Sequence, residues 1–325
     1  MEVPTNLQNN IDATDPGDAR YDASVKETLS DVQVLARILK YTTTEFQDMA
    51  VEDIIPCIDQ DSILVGEEFL DPGLSNLGKV KGLQTEDAVP NEGKIVYDIR
   101  FAAYLKGKGL KILVNVEAQK STGRGNLGYD IENRILFYLG RQISSQKDRE
   151  FFGDDFDSLK KAISIWICMD TPDDQDSITR LSMSQLAIYG KQPKLKHLDK
   201  MTSILVRIRE QPDVLESRNK LISMLEDLLL TMDKEEKKRR LKEKHGMRMT
   251  VDLEGRVNVM CNLSSVVKEK GIAEGIEKGK AEAEKKSALA LLRKEKLSLE
   301  EVPEFFPTLS AADIRKIEEE LYHLV

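Results

Sequence analysis

Cysteine and histidine are scarce, three of each among 325 residues. Cys57, Cys168 and Cys261 lie far apart and form no CxxC pair, so neither a disulfide scaffold nor a zinc ribbon fits. Such usage suits a reducing compartment. His197, His245 and His323 are equally scattered, which excludes an HExxH metal motif. No apolar run approaches the ~18 residues a membrane span needs. The first twenty residues contain no apolar segment of the secretory kind. These absences predict a soluble, cytoplasmic protein with no membrane partner.

Charge is what the sequence has in abundance. It carries 57 acidic and 48 basic residues, a net −9, and 32% of the chain is charged. Hydrophobic residues make up 40%, enough for a core beneath charged helices. At roughly 150 residues per domain the length predicts about two folded units. The charge is uneven. Residues 94–149 hold 11 Lys and Arg against 5 Asp and Glu. A basic island in an acidic chain is either a surface for phosphate or nucleic acid, or a solvated face balanced by acidic neighbours.

Residues 1–20 are polar and aperiodic and are expected to be disordered. Val25, Leu29, Val32, Leu35, Ile38 and Leu39 recur at helical spacing and predict one helix over about 24–48. Short strands are expected at 53–58 and 62–66. Longer strands are expected at 94–105, 110–119, 162–169, 178–189 and 202–208, with helices at 129–144 and 215–232. From Asp233 the chain turns into charged helix. Its glycines at 271, 275 and 279 sit among too many charges for a membrane dimer face. Two short helices close the chain, each opened by a capping box, Ser298 with Glu301 and Ser310 with Asp313. Residues 297–325 hold seven acids and two basic residues, the wrong sign for phosphate. They read as a packing or partner-binding element, through which a homodimer or other oligomer is expected. The organisation is thus a disordered 1–20, a folded domain over 21–232, and a helical, charged extension over 233–325.

The strands at 94–105 and 110–119 are separated by Lys-Gly-Lys-Gly. With Gly107 and Lys108 as the central residues of a type II′ turn, Tyr97 opposes Ala118, Ile99 opposes Val116, and Phe101 opposes Val114. That face is apolar. On the other face Asp98 opposes Glu117, Arg100 opposes Asn115, and Val96 opposes Gln119. Directly opposed Cβ atoms lie about 4.5–5.5 Å apart, and like charges at that distance are destabilising. The conflict is relieved if one carboxyl is protonated, if Arg100 neutralises the pair, or if a hard cation such as Mg²⁺ lies between them. A plain surface hairpin paired with Lys or Arg is the simplest alternative.

Asp98 followed by Glu117-Ala-Gln119 at the end of an apolar strand resembles the D…(D/E)xK core of the PD-(D/E)XK nuclease superfamily. EGKIVYDIRF, ILVNVEAQ, YDIENRILFY and ISIWICM are similar, in that order, to its transposase-like branch, the recombination-promoting nucleases. The resemblance covers most of the chain from about residue 24. It implies an α/β, restriction-endonuclease-like core, a mixed central sheet flanked by helices, that cuts DNA with Mg²⁺ or, alternatively, Mn²⁺. Asp98 and Glu117 would be the metal ligands, and Asp98, Glu117 and Gln119 the catalytic set. Gln119 stands where the superfamily more often has Lys, and Lys111, Lys120 or Arg100 are candidates for the missing charge. On this reading Gln119→Lys should remain active. Arg100, Lys120, Arg124, Arg134 and Arg141 are the candidate DNA contacts, and Glu27 the candidate acid on the first helix.

Two competing readings stand beside it. Gly123, Gly125 and Gly128 form a GxGxxG between a strand and a helix, with Asp148 twenty residues on, the outline of a dinucleotide-binding turn. The chain is otherwise a catalytically inactive DNA-binding or protein-interaction relative of transposases.

Overall fold

The computed structural model describes residues 16–66, 86–89, 93–171, 175–191, 193–209, 217–230, 232–293, 297–306 and 309–322. The chain divides into two compact units, 1–262 and 263–325.

The first unit opens with α1 (Pro16–Leu29) and α2 (Val32–Thr42). The sequence pattern suggested one helix. Asp31 divides it, because its carboxylate accepts the amide of Gln33 at 2.8 Å and caps a new helix. Residues 16–20 are helical rather than disordered, and 1–15 lie outside the described residues. The strand expected at 53–58 is instead a helical turn, α3 (Val51–Ile54), followed by a 3-10 turn with Pro56 in its first positions. Only Leu64–Val65 (β1) is extended in the next expected strand.

β2 (Glu86–Val89) and β3 (Gly93–Val96) pair with each other alone. β4 (Ile99–Leu105) and β5 (Leu110–Gln119) form the hairpin at the expected register, Ile99 opposite Val116 and Leu105 opposite Leu110. The turn differs from expectation. Residues 106–108 form a 3-10 turn, and it is Gly109 that takes the positive φ, +59°. The expected strand 94–105 is broken at Tyr97 and Asp98. There follow α4 (Arg124–Leu127), α5 (Ile131–Ser144), β6 (Lys161–Cys168), β7 (Ser177–Ser182), β8 (Met201–Arg207), α6 (Lys220–Leu229), α7 (Lys234–Glu243) and α8 (Val251–Leu292).

The main sheet has six strands in the order β1-β4-β5-β6-β8-β7. β5, β6 and β8 run parallel, and the outer strands are antiparallel. The architecture is therefore mixed α/β, an open sheet flanked by helices. All eight residues of β6 are buried, which explains why only Lys161 and Ser164 interrupt its apolar sequence. Phe101, Val114, Val116, Ile163 and Ile165 pack under α1, α2 and α6. Trp166, Cys168 and Leu205 face the other way, onto Ile131 and Ile135 of α5.

The first unit runs past the expected boundary at Asp233. Leu241 of α7 and Leu253, Val257 and Met260 of α8 belong to its core. The run of Lys and Glu there is the solvated face of α7 and hides its buried stripe. In the second unit, α9 (Val302–Phe305) and α10 (Ala311–Tyr322) accompany a small core of Ala288, Val302, Leu309 and Ile317. The expected capping box at Ser310 forms: the Ser310 amide donates to the Asp313 carboxylate at 3.1 Å, and the Asp313 amide to Ser310 Oγ at 3.2 Å. Ser298 donates its amide and Oγ to Glu301 at 2.9 and 2.8 Å, but the helix begins only at Val302, so Ser298 is not its N-cap. No helix among the described residues is long and apolar enough to cross a membrane.

Candidate functional site

The break between β3 and β4 creates the site. Gly66, just after β1, donates its amide to the Asp98 carbonyl at 2.7 Å. A Cβ on Gly66 would lie 2.4 Å from the Tyr97 carbonyl oxygen, so only glycine permits this approach. The break turns Tyr97 onto the face opposite to the one its register position suggested. Its ring meets Tyr138 of α5 edge-on, 5.5 Å between centroids, and carries the Arg100 guanidinium at 5.1 Å.

Asp98 and Glu117 are brought together at this break. The Asp98 amide donates to Glu117 Oε1 at 3.3 Å, and Asp98 Oδ2 accepts the Ala118 amide at 2.9 Å. Asn115 Nδ2 also donates to Glu117 Oε1, at 3.0 Å. Glu117 is 1% exposed, and Oε2 has no partner among the described residues; nor has Asn115 Oδ1. Burial, and then the neighbouring Asp98, push the Glu117 carboxyl well above its ordinary range. Burial also raises Asp98, against the pull of Lys26.

The cations beside the pair differ from those expected. Lys26 of α1 reaches Asp98 Oδ1 at 3.1 Å and Asp22 at 2.5 Å. Burial works against its charge, but Asp98 and Asp22 outweigh it and hold the ammonium above the usual lysine range. Glu27, the expected acid of this helix, is exposed and pairs with Arg256 at 3.5 Å. The acid that α1 does bring is Asp22, one turn before Lys26. The signal was present in sequence, since Asp22 and Lys26 are spaced i,i+4, yet nothing local says which face of α1 meets the sheet.

Arg134 supplies the other positive charge. It donates to Gln119 Oε1 at 3.1 Å and to the Tyr138 hydroxyl at 3.2 Å. It also stacks on the rings of Tyr138 and Trp166, at 5.0 and 5.3 Å. Gln119 Nε2 donates in turn to the Ser121 carbonyl at 2.9 Å. Lys at position 119 would set an ammonium against this guanidinium.

The remaining candidates separate. Arg100 and Arg141 are buried, at 2% and 4% exposure, and do not lie on a surface that DNA can reach. Lys111 pairs with Glu150 at 2.7 Å, toward the start of β5 and away from the carboxylates. Lys120 and Arg124 are exposed, and Arg124 pairs with Asp130 at 3.1 Å. A cleft of about 550 Å³ opens next to Gln119, lined by Ser121, Thr122, Arg124, Asp170 and Arg207 among others. The GxGxxG does not build a dinucleotide turn. Gly125 lies inside the single turn of α4, Gly128 ends it at φ +76°, and α5 starts only at Ile131. Asp148 sits in a turn at φ +64°, not at the end of a second strand.

The donor set suits a hard divalent cation. It offers oxygens only, and among the described residues Glu117 Oε2 and Asn115 Oδ1 are buried without a donor. Among the described residues no three His, Cys, Asp or Glu side chains cluster to hold a metal. Two carboxylates would therefore leave the other positions to water or substrate oxygen, as Mg²⁺ commonly accepts. No protein-family model, curated protein or solved structure matches the chain.

Proposed function

We propose that the chain is a Mg²⁺-dependent DNA endonuclease of low sequence specificity, of the transposase-like PD-(D/E)XK kind, with Mn²⁺ able to replace Mg²⁺. The supporting observation is the buried Glu117 Oε2, an acceptor with no donor beside a second carboxylate. Leaving such a group unmet costs about 1–3 kcal/mol, and more when it is charged. Asp98 and Glu117 would hold the cation. When bound, such an ion lowers the pKa of water and offsets charge developing at phosphorus. Arg134 holds Gln119 through its Oε1, and supplies the charge that glutamine lacks. Lys26 orients Asp98 through its ammonium and is a positioning residue. Arg124, which lines the cleft, and the exposed Lys120, adjacent in sequence to Ser121 of that lining, are left as the phosphate contacts.

One observation favours the non-cleaving alternative, an inactive DNA-binding or interaction relative. Lys26 already neutralises Asp98 from within the protein. Plasmid nicking decides between them. The wild type should nick in Mg²⁺ and not in EDTA, and Asp98→Ala should not nick in either. Nicking that survives in EDTA or in Asp98→Ala refutes the metal-nuclease reading. Absence of nicking by the wild type in both Mg²⁺ and Mn²⁺ leaves the alternative standing.

A further inference from the structure

Residues 177–198 run without one Asp or Glu, although 57 of the 325 residues are acidic. The same stretch carries Arg180, Lys191, Lys194, Lys196 and His197. It comprises β7, which is the edge of the sheet, and the loop that leads to β8. The loop is closed on itself. Gln185 Nε2 donates to the Pro193 carbonyl at 3.0 Å, and its Oε1 accepts the Leu195 amide at 2.8 Å. Gly190, at φ +71°, turns the tip.

Closed in this way, the loop presents apolar side chains to water. Leu186, Ile188 and Tyr189 are 85%, 96% and 94% exposed. Lys191, Lys194 and Lys196 are exposed beside them, and none forms an ion pair among the described residues. Large apolar side chains left this exposed on one loop mark a face that something else covers. Like charges with no counter-charge on the loop itself call for a polyanion. A nucleic acid offers both halves of the complement, a phosphate for about every 1.7 Å of duplex axis and flat base surfaces for an aromatic ring.

We propose that the loop 183–197 is a nucleic-acid contact separate from the cleft, with Lys191, Lys194 and Lys196 on phosphates and Tyr189 against a base or sugar. This rests on the DNA substrate proposed above. Ser182, at the loop's start, pairs with Thr202, whereas Arg207 at the other end of β8 lines the cleft. At about 3.3 Å per residue, the five residues from Thr202 to Arg207 separate the two by roughly 17 Å. That is the rise of about five base pairs at 3.4 Å each, so the loop grips DNA to one side of the break it flanks.

The test compares the full-length wild type with the triple variant Lys191→Ala, Lys194→Ala, Lys196→Ala. Fluorescence anisotropy on a labelled duplex of about 30 base pairs, in Ca²⁺ and across about 50–200 mM salt, reads affinity and salt slope. The triple variant should lose about tenfold or more in affinity, and its log–log salt slope should fall by roughly two to three, near 0.9 per lost phosphate contact. A triple Lys→Arg variant should keep the wild-type slope. If the alanine variant binds as the wild type does, the loop proposal is overturned and the nuclease reading is untouched. A variant that keeps DNA binding but loses self-association makes the loop a protein interface, which also overturns it. A wild type that binds no DNA overturns the loop proposal and, if it also fails to nick, the nuclease reading with it.

Discussion

Glu117 holds a carboxylate where the fold does not favour one. Its ionisation costs free energy, because burial and Asp98 both oppose the charge. For an acid whose folded pKa is raised, stability is greatest while the group is protonated and is lost as pH rises through that pKa. Glu117→Gln should therefore raise the melting temperature near neutral pH and flatten its fall toward alkaline pH. It should also abolish nicking. Mg²⁺ should raise the melting temperature of the wild type and not that of the variant. A variant that melts lower than the wild type at all pH values would show the carboxylate to be a structural partner instead. Strand parity set Asp98 opposite Glu117, and the two do meet, but across the break at Tyr97 and Asp98 rather than through the ladder, which ends at Ile99 opposite Val116. Lys26 and Arg134 escaped that reasoning because they arrive from helices, and no register relates a helix to the strand it covers.

At the level of elements, the site depends on an interrupted strand. The sequence pattern of 94–105 is continuous, and nothing local in it announces the turn at Tyr97 and Asp98. What permits the backbone to pack there is Gly66, remote in sequence. Gly66→Ala must push its methyl against the Tyr97 carbonyl, a backbone atom that cannot swing aside. Overpacking of this kind costs about 1–3 kcal/mol. The expected result is a lower melting temperature together with a smaller Mg²⁺-induced rise, because Asp98 moves with Tyr97. An unchanged Mg²⁺ response would uncouple Gly66 from the site. The division of α1 from α2 was readable at Asp31, a strong N-cap residue, but the apolar stripe runs through it and outweighed it. Long apolar runs were the easiest to read. β6 and β8 stand within a residue of their expected positions, whereas β7 stops at Ser182 once its side chains no longer meet a core.

Across the first unit, α6 and the turn after α7 are held by one buried carboxylate. Asp227 accepts Arg240 at 3.1 Å, Lys244 at 2.9 Å and His245 at 2.7 Å. Burial raises its pKa, but these three partners outweigh it and bring the group from 3.8 down to about 2. A depressed acid stabilises the fold above its unfolded pKa and loses that contribution as pH falls through the folded one. The shift corresponds to about 2 kcal/mol, at about 1.4 kcal/mol for each tenfold step. Asp227→Asn should cost about that much at neutral pH and remove part of the acid sensitivity between pH 3.8 and about 2, as followed by denaturant unfolding at stepped pH. Equal stability of variant and wild type at neutral pH would mean that Arg240, Lys244 and His245 find other partners.

The same unit joins its own beginning to its end. Gln33 exchanges hydrogen bonds with the backbone of Arg248 in both directions, at 2.8 Å each, across 215 residues. Arg37 donates to the carbonyls of His245 and Gly246, and the Tyr21 hydroxyl to that of Leu229. A ribosome adding roughly 5–20 residues per second needs on the order of 10–40 s to travel that distance. For that interval in every round of synthesis, the apolar stripe of α2 has left the ribosome while part of its cover has yet to be made.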